Sequence, residues 1–266
     1  MKHTAEPGTH AAKRRFGGVM RLYGAAALTR FAWAHVCVIG LGGVGSWAAE
    51  ALARSAIGAL TLIDMDHVAE SNINRQLHAV DTTLGKAKVL AMAERIHGIN
   101  RHCAVHAVED FVSRDNVAAL LDGRHHWVID CADNFRVKAA IIAHCKRAKI
   151  KLITIGAAGG LTDPTRIKVA DLTRAIHDPL LSRTRKYLRH RHAYSRNPQR
   201  RYDVPCVYSE EHMLYPTAGG GVCRAKPGAA TPTGLSCAGG LGSAMPVTAS
   251  FGLVAAAHVL KKLAVS

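Results

Sequence analysis

The 266-residue sequence lacks several patterns that mark common classes of protein. It has no C-x-x-C pair and its seven cysteines are scattered, so a four-cysteine zinc site is not expected. It also has no G-x-x-x-x-G-K-[ST] motif, which excludes a P-loop nucleotide site. The first twelve residues carry no apolar core of a signal peptide, which predicts a cytoplasmic protein with free thiols.

Acidic residues are scarce: 19 Asp and Glu face 35 Lys and Arg, giving a formal charge of +16. Such an excess suits an anionic macromolecule, with RNA rather than DNA the leading candidate, or else a solvated basic surface. Eight of the cations lie in residues 183–201, interleaved with Tyr187 and Tyr194. We predict that this run, kept open by repulsion, binds an RNA backbone; the alternative is a mobile solvated loop.

Residues 243–260 form an uncharged run long enough to raise the question of a membrane span. Pro246, Thr248, Ser250 and His258 interrupt its apolar character. A helix buried against a sheet is therefore favoured, and membrane attachment is not expected.

What the sequence does contain is a nucleotide-site pattern in residues 35–66. An apolar strand is followed by a glycine-rich turn, a helix and a second strand that ends at an acid. Glycines let the backbone approach phosphate, the helix N-terminus offers free N–H groups, and the acid accepts from ribose hydroxyls. The parts are the strands 36–39 and 60–63, the helix 46–53, the glycines Gly40, Gly42 and Gly45, and Asp64.

Strand and helix patterns then alternate, which predicts an α/β fold with a doubly wound, Rossmann-like and mostly parallel sheet. The chain should form one domain over residues 14–266, with a disordered tail at 1–13, a basic crossover at 171–205 and a loopy extension near the C-terminus. The predicted elements are strands at 104–108, 127–129, 152–155 and 166–169, and helices within 16–34, 84–96, 116–121 and 135–148.

A second group of polar residues follows these strands. Parallel strands end at one edge of a sheet, where ligands of α/β proteins bind. Two cations and a carboxylate that can hold Mg²⁺ are what ATP chemistry needs. Taken singly, Arg75 fits a loop salt bridge, Lys88 an exposed helix lysine and Asp133 a helix N-cap. The group comprises Asn72, Arg75, Gln76, Lys88, Asp130 and Asp133.

The motifs GLGGVGSWAAEALAR, LTLIDMD, SNINRQLHA, GKAKV and DCADN resemble the E1-like, ThiF/MoeB-type adenylating family. That family includes the activators of molybdopterin and thiamine synthesis. The segments RRFGGVMRLYG, GAAGGLTDPTRIKVADL and HDPLLS are more similar still to its branch that dehydrates N6-threonylcarbamoyladenosine in tRNA. The resemblance extends from about residue 15 to residue 262.

The resemblance implies roles at the matching positions, with ATP and Mg²⁺ as the cofactors. It implies that Arg21 reaches into the site of a neighbouring subunit, and hence a homodimer. It also implies that Asp133 holds the metal. The expected nucleotide residues are Gly40, Gly42, Gly43 and Gly45 along the nucleotide, Asp64 on the ribose, Asn72, Arg75 and Lys88 on the phosphates, and Asp66, Gln76 and Asp130 nearby.

The reaction that the resemblance implies begins with activation of a carboxylate. The threonine carboxylate of the base at position 37 attacks the α-phosphate of ATP and pyrophosphate leaves. The carbamoyl group of the same arm then closes on the acyl-adenylate, so one water is lost overall. Closure is intramolecular and needs no protein nucleophile. We therefore expect Cys206 and Cys237 to be buried small residues rather than covalent catalysts.

Three other functions fit part of the sequence. Activation of a ubiquitin-like sulfur carrier fits the same motifs, but the paired C-x-x-C zinc motifs of those activators are missing. A nicotinamide oxidoreductase needs the glycines and the acid but not Arg75, Lys88 and Asp133. An RNA-binding module without enzymatic activity would explain the charge alone. A cysteine-desulfurase-type sulfur-transfer protein is a further candidate partner.

Overall fold

The computed structural model describes residues 10–197, 199–217, 219–224 and 241–265. A seven-stranded sheet forms its centre, and a short two-stranded ribbon lies apart from it. The sheet strands are β1 (His35–Ile39), β2 (Ala59–Ile63), β3 (Ala104–Val108), β4 (Trp127–Asp130), β5 (Lys151–Ile155), β6 (Ile167–Asp171) and β7 (Pro205–Ser209); the ribbon pairs β8 (Tyr215–Pro216) with β9 (Val222–Cys223).

The sheet order is β3-β2-β1-β4-β5-β7-β6, and every neighbouring pair is parallel except β7 and β6. The central strands are buried on both faces, which explains their continuous apolar runs. Ile39 of β1 is level with Ile63 of β2 and Asp130 of β4. The turns that follow these three strands therefore begin side by side at one edge.

Helices cover both faces of the sheet, which confirms the predicted doubly wound α/β fold. The helices are α1 (His10–Tyr23), α2 (Ala25–Trp33), α3 (Gly45–Arg54), α4 (Lys88–Ile99), α5 (Val117–Leu120), α6 (Phe135–Ala148), α7 (Pro179–Arg191) and α8 (Met245–Ala264). One core cluster joins α2, α3, α4 and α8 to the sheet, and the other joins α5, α6 and α7 to its opposite face.

Helix α8 contains all but the first two residues of the uncharged run. Among the described residues it is the one helix with the length and composition of a membrane span. However, its side chains at Phe251, Ala255 and Val259 are fully buried. A Cβ on Gly252 would lie 2.2 Å from the Val44 carbonyl oxygen, so α8 packs closely against the start of α3. Helix α8 is therefore a buried helix packed on the sheet, as the sequence predicts.

Two predicted boundaries need correction. Helix α1 begins at His10, so residues 10–13 are helical rather than part of a disordered tail, and residues 1–9 lie outside the described residues. Helix α4 begins at Lys88, four residues after the predicted start, because Leu84 has ψ 135° and Gly85 has φ +79°, and neither conformation is helical. Most of the predicted C-terminal extension, residues 225–240, also lies outside the described residues.

The prediction that residues 183–201 form an open segment is wrong for its first half, which lies in α7. The Asp178 carboxylate caps this helix, and Leu181, Thr184 and Leu188 are fully buried. Because these residues recur at helical spacing, packing of the apolar face outweighs repulsion between the exposed cations. The basic crossover is therefore an ordered helix followed by a loop.

Candidate active site

The turn after β1 folds back on itself. Gly40 has φ +84°, and its N–H donates to the Ile63 carbonyl at 2.8 Å. A Cβ on Gly45 would lie 1.8 Å from the Gly40 carbonyl oxygen, so only glycine fits there. By contrast, a Cβ on Gly42 would meet no described atom within 4 Å. The turn is thus closed on the protein side and open towards a ligand.

Asp64 lies at the end of β2, where its carboxylate holds this turn in place. One oxygen accepts from the Leu41 N–H at 2.5 Å and the other from the Asp66 N–H at 2.8 Å. Burial raises the pKa of the Asp64 carboxyl, while nearby Lys88 and the two N–H groups oppose the shift. Each oxygen keeps a lone pair that can accept from a ribose hydroxyl.

Lys88 is the first residue of α4 and is not an exposed helix lysine, since its side chain is 6% exposed. Its ammonium lies 2.7 Å from the carboxylate of Asp66, which is itself 69% exposed. The pair places a cation next to Asp64, with its carboxylate partner facing solvent. An anion that binds here would compete with Asp66 for Lys88.

The loop after β2 brings Arg75 onto the glycine turn. A Cβ on Gly43 would lie 2.9 Å from the Arg75 Cγ, so the arginine stem covers that glycine. The Arg75 guanidinium donates to the Ser71 carbonyl and the Asn74 side chain, each at 2.9 Å. It makes no ion pair with any described carboxylate, so the loop salt bridge considered for it is wrong. The cation is available at the open side of the turn.

Asn72 and Gln76 lie in the same loop and are both buried. The Asn72 side-chain oxygen accepts from the Ala69 N–H at 3.1 Å, so this amide shapes the loop. The Gln76 Oε1 is buried and has no hydrogen-bond partner among the described residues. Gln76 thus retains an acceptor that a ligand hydroxyl or N–H could use.

Asp130 is a correction to the predicted nucleotide residues. It is fully buried, and both carboxylate oxygens are already occupied. One accepts from Lys138 Nζ at 2.9 Å and from the Thr154 hydroxyl at 2.6 Å; the other accepts from the Ala132 N–H at 3.1 Å. Asp130 therefore joins β4, α6 and β5 and shapes the turn that carries Asp133, rather than contacting a ligand.

Asp133 is exposed, and its carboxylate makes no hydrogen bond or ion pair with the described residues. The N-cap of α6 is Asn134, whose side chain accepts from the Arg136 N–H at 2.9 Å. The helix-cap interpretation of Asp133 is therefore wrong. No group of three or more metal-ligating side chains occurs in the described part of the chain. A cation at Asp133 would need further ligands from a phosphate or water.

Arg21 is exposed on α1, and within one chain no hydrogen bond or ion pair joins it to the described site residues. Cys206 is fully buried in β7, and burial followed by repulsion from Asp178 raises its pKa to about 12. This matches the expectation of a small core residue. Cys237 lies outside the described residues.

Several contacts in the site were not predicted. Ser46 is fully buried; its hydroxyl donates to the Gly42 carbonyl at 2.8 Å and accepts from the Leu77 N–H at 3.3 Å. The Trp47 indole N–H donates to the Arg75 carbonyl at 2.9 Å. Both residues tie the glycine turn to the Arg75 loop. Their one signal in the sequence is a polar residue and an aromatic directly after the third glycine.

The chain belongs to the ThiF family, whose model matches residues 17–265. It is 51% identical over 251 residues, 94% of each chain, to the tRNA threonylcarbamoyladenosine dehydratase of Escherichia coli (strain K12). A solved structure described as TcdA (CsdL) superposes with a TM-score of 0.89 at 49% identity, covering 96% of both chains. The resemblance inferred from the motifs is thus confirmed.

Two further structures carry nucleotides. They are E. coli TcdA in complex with ATP and in complex with AMP, each with a TM-score of 0.85, 48% identity and 96% coverage of both chains. This chain therefore has the fold of a protein that binds ATP.

We predict that Lys138→Met destabilises the protein by about 3 kcal/mol or more, because it leaves the buried Asp130 carboxylate without its cation. Urea unfolding measures the change. Arg147→Met, on the exposed face of the same helix, is the control and should shift stability by less than about 0.5 kcal/mol. Equal losses in the two variants would contradict the structural role of the pair.

Proposed function

We propose that this chain catalyses the ATP-dependent dehydration of N6-threonylcarbamoyladenosine at position 37 of tRNA, through an acyl-adenylate, giving the cyclic base, AMP and pyrophosphate. The observation that carries the proposal is one edge of the sheet, where the open glycine turn, the unpaired Arg75 cation and the exposed Asp133 carboxylate follow β1, β2 and β4. The E. coli relative with that activity in its name aligns with this chain almost end to end.

The site residues divide the work between binding and charge stabilisation. Asp64 accepts from the ribose, and the N-terminus of α3 and the glycine turn face the phosphates. Arg75 and Lys88 stabilise the negative charge that develops when the threonine carboxylate attacks the α-phosphate. If Lys88 leaves Asp66 and turns towards the phosphates, it would stabilise this negative charge more strongly. The carbamoyl group then attacks the activated carbonyl and AMP leaves.

We propose that Asp133 helps to hold Mg²⁺. The Asp133 carboxylate is exposed and has no partner among the described residues. Mg²⁺ in proteins is usually bound by one or two carboxylates together with phosphate oxygens and water, so this carboxylate suits the ion. Bound there, the ion would neutralise phosphate charge. Sulfur-carrier activation is not favoured. The match to the dehydratase relative covers 94% of this chain, whereas the match to a molybdopterin-synthase adenylyltransferase of Salmonella typhimurium covers 47% of this chain.

Incubation with ATP, Mg²⁺ and threonylcarbamoylated tRNA, followed by nucleoside mass analysis, tests the function through the loss of one water. We predict that Asp133→Asn lowers the rate by about 100-fold or more, because a metal ligand is removed. Its free energy of unfolding should stay unchanged, whereas Asn134→Ala should lose about 1 kcal/mol with the helix cap. Normal turnover of Asp133→Asn would refute the metal role.

We propose that the protein acts as a homodimer in which Arg21 completes the site of the partner subunit. Exposed apolar side chains lie on the same helical pair: Leu22 is 75% exposed and Trp33 is 62% exposed. Such side chains on α1 and α2 suit a surface that is covered in an assembly.

We predict that Arg21→Ala and Asp133→Asn proteins each have strongly reduced activity and regain activity when mixed. A hybrid dimer has one site that lacks both defects. Dehydration of tRNA is the readout, and a labelled-subunit exchange assay verifies that hybrids form. Exchange without recovered activity would show that Arg21 does not act across the interface.

We propose that the exposed cations of α7 contact the tRNA backbone. Arg185 and Arg189 are excluded, because Arg185 donates to the Leu172 and Ala175 carbonyls and Arg189 donates to the Tyr202 hydroxyl. The exposed members on α7 are Arg183, Lys186 and Arg191.

We predict that replacing Arg183, Lys186 and Arg191 by Ala raises the apparent KM for tRNA and lowers the slope of log affinity against log salt by about 2, since fewer counterions are released. The apparent KM for ATP and the turnover at saturating tRNA should hold. The control replaces three exposed cations elsewhere, Arg101, Lys151 and Lys168. A wild-type salt slope in the α7 variant would place the tRNA on another surface.

A further inference from the structure

A pocket of about 360 Å³ lies beyond the nucleotide residues, where β5 and β7 end. This volume is within the range of small-molecule sites. None of its lining residues belongs to the glycine turn, the Arg75 loop or the Asp133 turn. Its polar lining consists of His177, Asp178, Ser182, Arg185, His212, Tyr215 and Arg224.

The pocket opens at the same edge of the sheet as the nucleotide site. Asp178 ties it to β5, because its carboxylate accepts from the Ala157 N–H and the Leu181 N–H, each at 2.9 Å. The segment after β7 is tied to the same loop, since the Leu214 N–H donates to the Gly160 carbonyl at 2.7 Å. Strands lie about 4.8 Å apart, so the end of β7 lies about 10 Å from the end of β4.

Two imidazole rings form one wall. The ring centroids of His177 and His212 lie 4.0 Å apart, although the residues come from separate segments, and both side chains are exposed. His177 has φ +54°, a conformation uncommon for a residue with a side chain. It persists because the next residue, Asp178, is held by β5 and α7. Strain of this kind gathers at ligand sites.

The charge of the pocket suits an anion. Arg185 is half-buried and anchored through two carbonyls, and Arg224 is exposed. Asp178 is the acidic residue of the lining, and both of its oxygens already accept backbone N–H groups. A planar base could stack on the two histidine rings while its phosphate lies near Arg224. Proteins commonly bind unstacked RNA bases by such stacking on aromatic side chains.

We propose that this pocket holds the modified base of the tRNA substrate, turned out of the anticodon loop, against His177 and His212. The inference rests on the proposed function. The threonylcarbamoyl arm, comparable to two residues of extended chain, spans about 7 Å. Reacting atoms lie about 3 Å apart, so the arm and this gap together span about 10 Å, the distance from the end of β7 to the turn that carries Asp133. The base and ATP thus occupy neighbouring parts of one edge.

The test compares His177→Ala/His212→Ala with the control His97→Ala/His102→Ala, which removes two exposed imidazoles that precede β3. The pocket variant should raise the apparent KM for modified tRNA by about tenfold or more and leave the KM for ATP unchanged. It should also lose inhibition by free N6-threonylcarbamoyladenosine, which has no tRNA backbone. His177→Phe/His212→Phe should restore much of the binding, because the aromatic faces return.

The outcomes separate the pocket from the function. If the wild type makes no dehydrated nucleoside, the proposed function fails and the pocket inference fails with it. If the wild type is active and the pocket variant behaves like the control, the pocket inference alone is overturned. Matching circular dichroism and melting temperatures verify that the variants fold, and a loss that the phenylalanine variant does not restore also counts against the histidine wall.

Discussion

The close approach of Gly45 to the Gly40 carbonyl is the constraint on which the site depends. It starts α3 directly against the end of β1, which directs the N–H groups of the helix at the open side of the turn. Ser46 then lies fully buried between this turn and the Arg75 loop. A side chain at residue 45 would therefore displace the strand end, the helix start and the neighbouring loop together.

The positive charge of the chain divides into groups with different physical roles. Lys138 is fully buried and neutralises Asp130. A buried carboxylate without a partner would lower the stability of the fold by several kcal/mol. Lys88 is buried but paired with an exposed acid, so it keeps contact with the site. The exposed cations of α7 make no ion pair with the described carboxylates, and exposed ion pairs would in any case contribute little to stability. Burial, rather than composition, separates these roles.

The sequence predicted the β1, α3 and β2 region to within one residue at each end, since apolar runs and glycines are local signals. It also placed Arg75 and Asp133 after strands that end at one edge of the sheet, and their roles towards phosphate and metal stay predictions. Local sequence patterns could not predict the burial of Asp130, because its hydrogen-bond partners Lys138 and Thr154 come from another helix and another strand. The motifs assigned the metal to Asp133 and placed Asp130 near the nucleotide, but they could not show that Asp130 is buried.

The misjudged helix α7 is a different case, because its signals were present in the sequence. An aspartate followed by proline marks a helix start, and Leu181, Thr184 and Leu188 recur at helical spacing. Counting charge alone concealed this pattern. The pocket histidines could not have been foreseen, since His177 and His212 meet only when β5 and β7 pair and Asp178 fixes the start of α7. Long-range pairing, not local propensity, creates that surface.

The state of the thiols fits a reaction that closes within its own substrate. A cysteine nucleophile needs access and a lowered pKa. In the described part of the chain, burial instead raises the pKa of Cys103 and Cys206 to about 12, and raises that of Cys131 next to the glycine turn. In the proposed reaction the carbamoyl nucleophile sits on the same arm as the activated carbonyl, so proximity can take the place of a covalent enzyme intermediate. The protein then has only to hold the arm, the nucleotide and their charges in place.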